Sequence, residues 1–287
     1  MAIVGCGKLG IPLGRYLAAS GYRIVGLASR SAASARTLAQ QTGCSITTTD
    51  AWQATREADM VFLTVPDDAI ESVCTTIAHR KGFAQGTAVY HCSGSQPSTI
   101  LATAREAGAS VASLHPLQSF AGGSYADSPF AGIIVSVEGD PDACRVGRKI
   151  VRKLGARCLD IETEGKVLYH ASAVVASNYL VVIMDIALEL MEDAGVPRDR
   201  AFDILEPLVV GTLANIGTKT THEALTGPVA RGDLATVTAH TDKIGARAPH
   251  LLPLYSRLGR HAVGLAEKTA TLSPGVIARL KSLLEKE

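Results

Sequence analysis

A short apolar run, Ala2-Ile3-Val4, meets three glycines spaced G-x-G-x-x-G (Gly5, Gly7 and Gly10), and a helical pattern opens directly behind them. No other stretch limits the fold as strongly. A strand that turns sharply into a helix starts a strand–helix–strand unit, and each glycine has a physical task there. Gly5 permits the tight turn, Gly7 lets backbone approach a pyrophosphate, and Gly10 allows close helix–strand packing. Lys8 and Leu9 stand where the helix opens, so unpaired N–H groups and the positive end of the helix dipole face an incoming diphosphate. The alternative is a tight turn with nothing bound.

The 287 residues suffice for two domains of ordinary size, each with its own core. Hydrophobic residues make up 47% and aromatic ones only 5%, which favours aliphatic packing over stacked-base recognition. A formal net charge of +1, with no basic block, argues against a nucleic-acid partner. The six cysteines contain no C-x-x-C pair, so they are expected as buried thiols of a reducing compartment, with no metal site. The first strand begins almost at Met1, leaving no room for a leader before the glycine turn. The longest apolar run, 171–191, carries Asp185 and Glu189, which a membrane span rarely leaves unpaired. A buried helix of a cytoplasmic protein is the expectation, with no membrane partner.

After the first helix, Tyr22–Ala28 reads as a second strand. An acidic residue at its end would hold a ribose 2′-hydroxyl. The chain has Ser29-Arg30-Ser31 instead, and a guanidinium between two hydroxyls suits a 2′-phosphate. The expected cofactor is therefore NADP(H) rather than NAD(H), against a solvated turn residue. Residues 31–41 read as a helix ending at Gly43. Asp59–Phe62 opens a buried strand whose carboxyl end carries Val65, Pro66 and Asp67, where ligands gather in such sheets. A strand at 87–91 runs into Cys92-Ser93-Gly94-Ser95, where Ser93 can contact cofactor or cap a helix over 98–107. A strand at 110–114 leads into a loop with His115 and Gln118, candidate substrate contacts. Strands at 132–137 and 157–161, with a helix at 141–154 between them, complete a mostly parallel, doubly wound sheet.

From Glu164 to Ala194 the pattern is one unbroken helix, about 45 Å long. It is apolar on nearly all faces, which points to burial in a helical core and to a subunit interface. Further helices read at 198–216, 233–245, 249–267 and 273–286, without a strand. The fold class is α/β: a Rossmann doubly wound parallel sheet over 1–162, then an all-α helical domain over 163–287 for substrate and dimerisation. At about 100° per residue, Lys166, His170, Ala173 and Ser177 fall in one stripe, with Asn178 at its edge. Reduction of a carbonyl needs such a stripe, because a proton must reach the nascent alkoxide and a cation can stabilise it. The alternative for Lys166 is an exposed first-turn residue. Arg231, in the loop Thr226–Asp233, is a candidate fork for a substrate carboxylate, and Asp233 a helix N-cap. His240, two turns into the helix behind it, can face the same cleft.

Gly5–Gly10, Ser113–Phe120 (SLHPLQSF), Lys166–Tyr179 (KVLYHASAVVASNY) and Thr226–Asp233 (TGPVARGD) together resemble one bacterial branch of Rossmann-like oxidoreductases. Its C-terminal domain was catalogued as one of unknown function, and it is related to ketopantoate reductase, pyrroline-carboxylate reductase and 6-phosphogluconate dehydrogenase. The resemblance implies NADP binding, a homodimer built on the helical domains and reduction of a small 2-oxo acid, with ketopantoate as the named substrate. Hydroxy-acid enzymes of the wider group resemble a K-x-x-x-N pattern; Lys166 matches it, but His170 stands at the Asn position. Either Lys166 or His170 then gives the proton. Ser177 and Asn178 would line the pocket. The rivals are an imine reductase, for which Lys166 is dispensable, and an NADP-binding regulatory protein without turnover. Deazaflavin-dependent hydride exchange is a lesser alternative.

Overall fold

The computed structural model describes residues 1–120 and 128–285 and divides into two compact units, Met1–Asn178 and Tyr179–Glu287. The sequence places the division at 162/163. It falls later because the segment beginning at Lys166 packs into the first unit, where that side chain is fully buried.

The first unit is built on eight strands: β1 (Ala2–Val4), β2 (Gly26–Ala28), β3 (Thr47–Thr48), β4 (Met60–Leu63), β5 (Ala88–His91), β6 (Ser110–Pro116), β7 (Ile134–Gly139) and β8 (Arg157–Asp160). Their order in the sheet is β3-β2-β1-β4-β5-β6-β7-β8. All neighbours run parallel except β6 and β7, which pair antiparallel with Ser113 opposite Glu138 and His115 opposite Ser136. The doubly wound expectation is met, with one reversed pair and a two-residue strand, β3, that the sequence does not signal. Successive residues serve opposite faces: Ile3 joins one core with Leu13, Leu17 and Leu38, while Ala2 and Val4 join the other with Ile70, Cys74 and Ile77.

Helices follow from the same pattern. Gly10–Ala19 places Pro12 in its first turns and buries Leu13, Gly14 and Leu17. Ala32–Thr42 starts at Ser31, whose hydroxyl accepts from the Ser34 amide at 3.3 Å, and ends at Gly43 in the left-handed region with φ of 69°. The helix Ile70–His79, unread in the sequence, buries Ile70, Cys74 and Ile77 at one-turn spacing. Each large aliphatic side chain so buried contributes about 1.5–3 kcal/mol. Cys6, Cys44, Cys74, Cys92 and Cys144 are buried and Cys158 is half-buried, all as free thiols.

Thr163–Asp193 is helical throughout, but not one regular helix: Lys166–Ala173 and Tyr179–Asp193 are joined by a π-helical stretch, Val174–Asn178. Its apolar side chains are not buried. Leu168 is 76% exposed and Val181 68%, so the expected helical-core burial is not met within the single chain. The run is long and apolar enough to cross a membrane by length and composition.

The second unit is helical among its described residues. Arg198–Thr218, Leu234–Arg247, Leu252–Glu267 and Pro274–Leu283 are its longer helices after Tyr179–Asp193. Val237, Val263, Leu280 and Leu284 form one small core, and Ile244, Ala248 and Leu251 a second, packed by Ile186 and Leu190. The sequence reading of a final helix to 286 ends on a residue outside those described.

Candidate functional site

The glycine turn is as tight as its sequence requires. Gly5 has φ of 104°, and a Cβ there would lie 2.6 Å from the Thr64 carbonyl oxygen. A Cβ on Gly10 would lie 1.9 Å from the Gly5 carbonyl oxygen, so only glycine lets the helix start against the strand. The Gly5 carbonyl in turn accepts from Thr64 Oγ1 at 2.6 Å. Gly7 differs from both. Nothing lies within 4 Å of a Cβ built on it, so its backbone faces open space.

That space is a cleft of about 700 Å³ at the carboxyl ends of β1, β2 and β4. Gly5, Gly7, Ser29, Arg30, Ser31, Val65 and Pro66, all expected from the sequence as cofactor contacts, line it. Ser34, Thr49 and Thr64 line it too, and the sequence reading does not single them out. The helix Gly10–Ala19 opens at Leu9 with neither a capping side chain nor a carboxylate in its first turn. An open glycine backbone and an uncapped helix start fit a diphosphate. Arg30 is exposed and makes no ion pair among the described residues, beside Ser29, Ser31 and Ser34. This donor set, without a carboxylate, fits a phosphate monoester. Lys8, Leu9 and Gly10 do not line the cleft: Lys8 is exposed and Leu9 packs on the core.

Asp67 and Ser93 also stand apart from the cleft lining and bond to each other. Ser93 Oγ donates to Asp67 Oδ2 at 2.6 Å and Ser95 Oγ donates to the same oxygen at 3.1 Å. The Ser93 hydroxyl accepts from the amides of Ser95 and Gln96, which makes a local turn rather than the helix cap that was the alternative.

Beyond the β5 end lies a buried ionic cluster. Lys166 Nζ donates to Ser113 Oγ at 2.5 Å and stands 3.6 Å from Glu138 Oε1, with both side chains nearly inaccessible. Glu138 also accepts from the Ser98 amide and hydroxyl, each at 2.7 Å, and from Thr163 Oγ1 at 3.2 Å. Neither an exposed lysine nor one facing solvent at a stripe describes this residue. Burial lowers the Lys166 ammonium below its ordinary value, and the Glu138 carboxylate opposes that. Glu138, too, is a residue that sequence reasoning misses. Its one signal is a lone charge directly behind the strand read at 132–137.

His115 and His170 meet over Gly94. A Cβ on Gly94 would lie 2.3 Å from His170 Nδ1 and 2.8 Å from His115 Nε2, and the rings stand 5.8 Å apart in edge-on contact. Nδ1 of both histidines is buried with no hydrogen-bond partner among the described residues. Burial, then the charges of Lys166 and His170, push His115 down to about 4, so it is neutral at pH 7. His115 belongs to strand β6 rather than to the loop expected after it.

The stripe on the long helix breaks after His170. A π-helical turn holds more than four residues, so the regular spacing fails and Ser177 and Asn178 are both exposed. Gln118 is exposed and folded on itself, its Oε1 accepting from the Ser119 amide at 2.9 Å. In the second unit, Arg231 ends a short helix, Gly227–Arg231, instead of lying in a loop, and is exposed. Asp233 caps the next helix as predicted, accepting from the Thr236 amide at 3.0 Å. His240 is occupied by Tyr255, at 2.8 Å from Nδ1 to the hydroxyl.

Residues 1–116 match the model of a Rossmann-like domain, and residues 133–262 that of a domain of unknown function, DUF2520. Among solved structures, a protein of Bacteroides fragilis named as an NADP oxidoreductase is 25% identical, with 91% of this chain and 96% of that one covered at a TM-score of 0.74. A protein of Thermotoga maritima is 27% identical over 94% of this chain and 99% of that one, also at 0.74. A pyrroline-5-carboxylate reductase of Coxiella burnetii shares the fold at 17% identity, 98% and 97% coverage and a TM-score of 0.56. Comparison with curated protein sequences finds no match. A Rossmann-like domain model and a DUF2520 model thus match successive stretches of the chain, whose fold is shared with solved proteins that include one named as an NADP oxidoreductase.

Proposed function

We propose that this protein is an NADPH-dependent reductase of a small 2-oxo acid, with ketopantoate, giving pantoate, as the first substrate to test. The observation that carries the reading is the cleft itself, with open backbone at Gly7 and, on its rim, Arg30 without an ion pair among the described residues. A bound nicotinamide would supply the hydride. Arg30 and the hydroxyls of Ser29, Ser31 and Ser34 hold the 2′-phosphate; the Gly7 backbone and the start of the helix behind it hold the diphosphate. His170, whose Nδ1 is buried with no hydrogen-bond partner among the described residues, gives the proton to the nascent alkoxide, and neutral His115 beside it orients the oxygen. Lys166 adds positive potential from beneath, and Arg231 is the proposed fork for the substrate carboxylate.

A second reading is favoured by one observation. Lys166 is committed to Ser113 and Glu138, and an imine reductase needs no cation against an alkoxide. NADPH oxidation followed by absorbance, against ketopantoate, related 2-oxo acids and pyrroline carboxylate, separates the two. Turnover with 2-oxo acids and preference for NADPH over NADH is the expected result. Activity confined to the cyclic imine moves the assignment to an imine reductase. Silence across the panel, with NADPH binding intact by thermal shift, leaves the regulatory role.

The proposed partner is a second copy of this chain. Tyr179–Asp193 and Arg198–Thr218 expose Val181, Val182, Ile183, Phe202, Leu208 and Leu213, an apolar surface larger than single exposed residues account for. A subunit interface suits it better than lipid. Lys166, at the start of the run, is ion-paired in the first unit, and its carboxylates are met: Asp185 by Arg198, Glu189 by His250 at 2.8 Å. Sedimentation is expected to give a dimer for the wild type and a monomer for L208E. A monomeric wild type removes the interface.

A further inference from the structure

Glu138 has no role of its own in the reaction proposed above, yet it holds four contacts beside the two histidines. Its Oε1 takes the Ser98 amide and faces Lys166 Nζ; its Oε2 takes the hydroxyls of Ser98 and Thr163. Three separate elements meet on one carboxylate: the turn behind β5, the start of the helix that carries His170, and β7 itself. We propose that Glu138 is a positioning residue for the reaction: anchored by Ser98 and Thr163, it keeps Lys166 a charged ammonium against Ser113 and so fixes the electrostatic field at His115 and His170. The proposal rests on reading the face over Gly94 as the reacting one.

A buried ammonium without a counter-ion gives up its proton. Glu138 is the carboxylate in contact with Lys166; Cys92 and the more distant Asp67 also face it. Around His115 stand Lys166, His170 and Asp67, with Tyr169 edge-on at 6.0 Å, and His91, itself pushed down to about 3 by burial and then by Lys166. Of these, the Lys166 charge is the strongest electrostatic influence on His115, and it disfavours the imidazolium. Discharging Lys166 must therefore raise His115. A Glu138 that only braces the fold would leave that titration alone.

The test is E138Q in the full chain, read by histidine Cε1–H NMR with His115 assigned through H115N. The amide keeps an oxygen to accept from Ser98 and drops the charge. The His115 midpoint is expected to move up by about one pH unit or more from its wild-type value. E138D, which keeps the charge, is expected to return it. The double variant E138Q/K166M carries neither charge and sets the full size of the move for a discharged Lys166, which E138Q alone is expected to match. A midpoint unmoved in E138Q, or unmoved in the double variant, overturns the proposal. In the NADPH assay the pH profile of kcat should move with the same variants, while KM for NADPH stays. If no substrate turns over, the reductase reading fails and the NMR titration still judges Glu138.

Discussion

Replacing Lys166 by Met is expected to lower the stability of the protein by about 3–5 kcal/mol, because the Glu138 carboxylate is then buried without its cation. Loss of one buried partner costs more than the pair itself contributes, since both ions were already stripped of water. The double variant E138Q/K166M removes both charges, keeps the Ser98 contact through the amide, and is expected to recover most of the loss. In a unit of this size each kcal/mol moves the melting point by about 2–4 °C, so K166M should melt roughly 10 °C lower. Thermal melts of the wild type, K166M, E138Q and the double variant give the coupling directly. Additive losses would mean that Lys166 and Glu138 stabilise the fold independently. Because K166M perturbs the fold, its turnover alone says nothing of chemistry. That is why the proposed proton donor is better tested at His170, which is half-buried and has no hydrogen bond at Nδ1 among the described residues.

Why the cleft was legible in the sequence and the ionic cluster was not is a matter of range. Gly5, Gly7, Gly10, Ser29, Arg30 and Ser31 act through local turns at the ends of two adjacent strands, and a parallel strand–helix–strand unit always brings those ends together. Glu138 reaches Ser98 across 40 positions and Thr163 across 25, through an antiparallel pairing of β6 with β7 that strand periodicity does not reveal. Without that register, Ser113 is one more small residue in an apolar strand. The helical stripe failed for a different reason. Its spacing assumed a constant turn, and the π-helical residues 174–178 carry Ser177 and Asn178 off the face that Lys166 and His170 share. The apolar character of Tyr179–Asp193 is plain in the sequence, but within the single chain its large side chains stay exposed rather than entering a helical core.

The largest functional effect falls on Arg30. Its guanidinium is exposed and makes no ion pair among the described residues, so R30A should leave stability unchanged while removing the proposed countercharge of a 2′-phosphate. A hydrogen bond to a charged group contributes about 1.5–3 kcal/mol, so KM for NADPH is expected to rise by about 10- to 100-fold, with KM for NADH nearly constant. R30K should fall between, because an ammonium keeps the charge and loses the fork. R30D goes further: its carboxylate repels a 2′-phosphate and accepts from a 2′-hydroxyl, so preference is expected to pass to NADH. The rim is open to solvent, and the NADPH advantage of the wild type should shrink with added salt while the R30A values hold steady. Equal losses for both cofactors would place Arg30 on a part that the two dinucleotides share, leaving Ser29, Ser31, Ser34 and Thr49 as the polar side chains beside it. Hydroxyls alone do not distinguish a phosphate from a hydroxyl by charge. In that outcome the salt dependence disappears together with the preference, and the donor set at the end of β2 serves the helix cap of Ser31 alone.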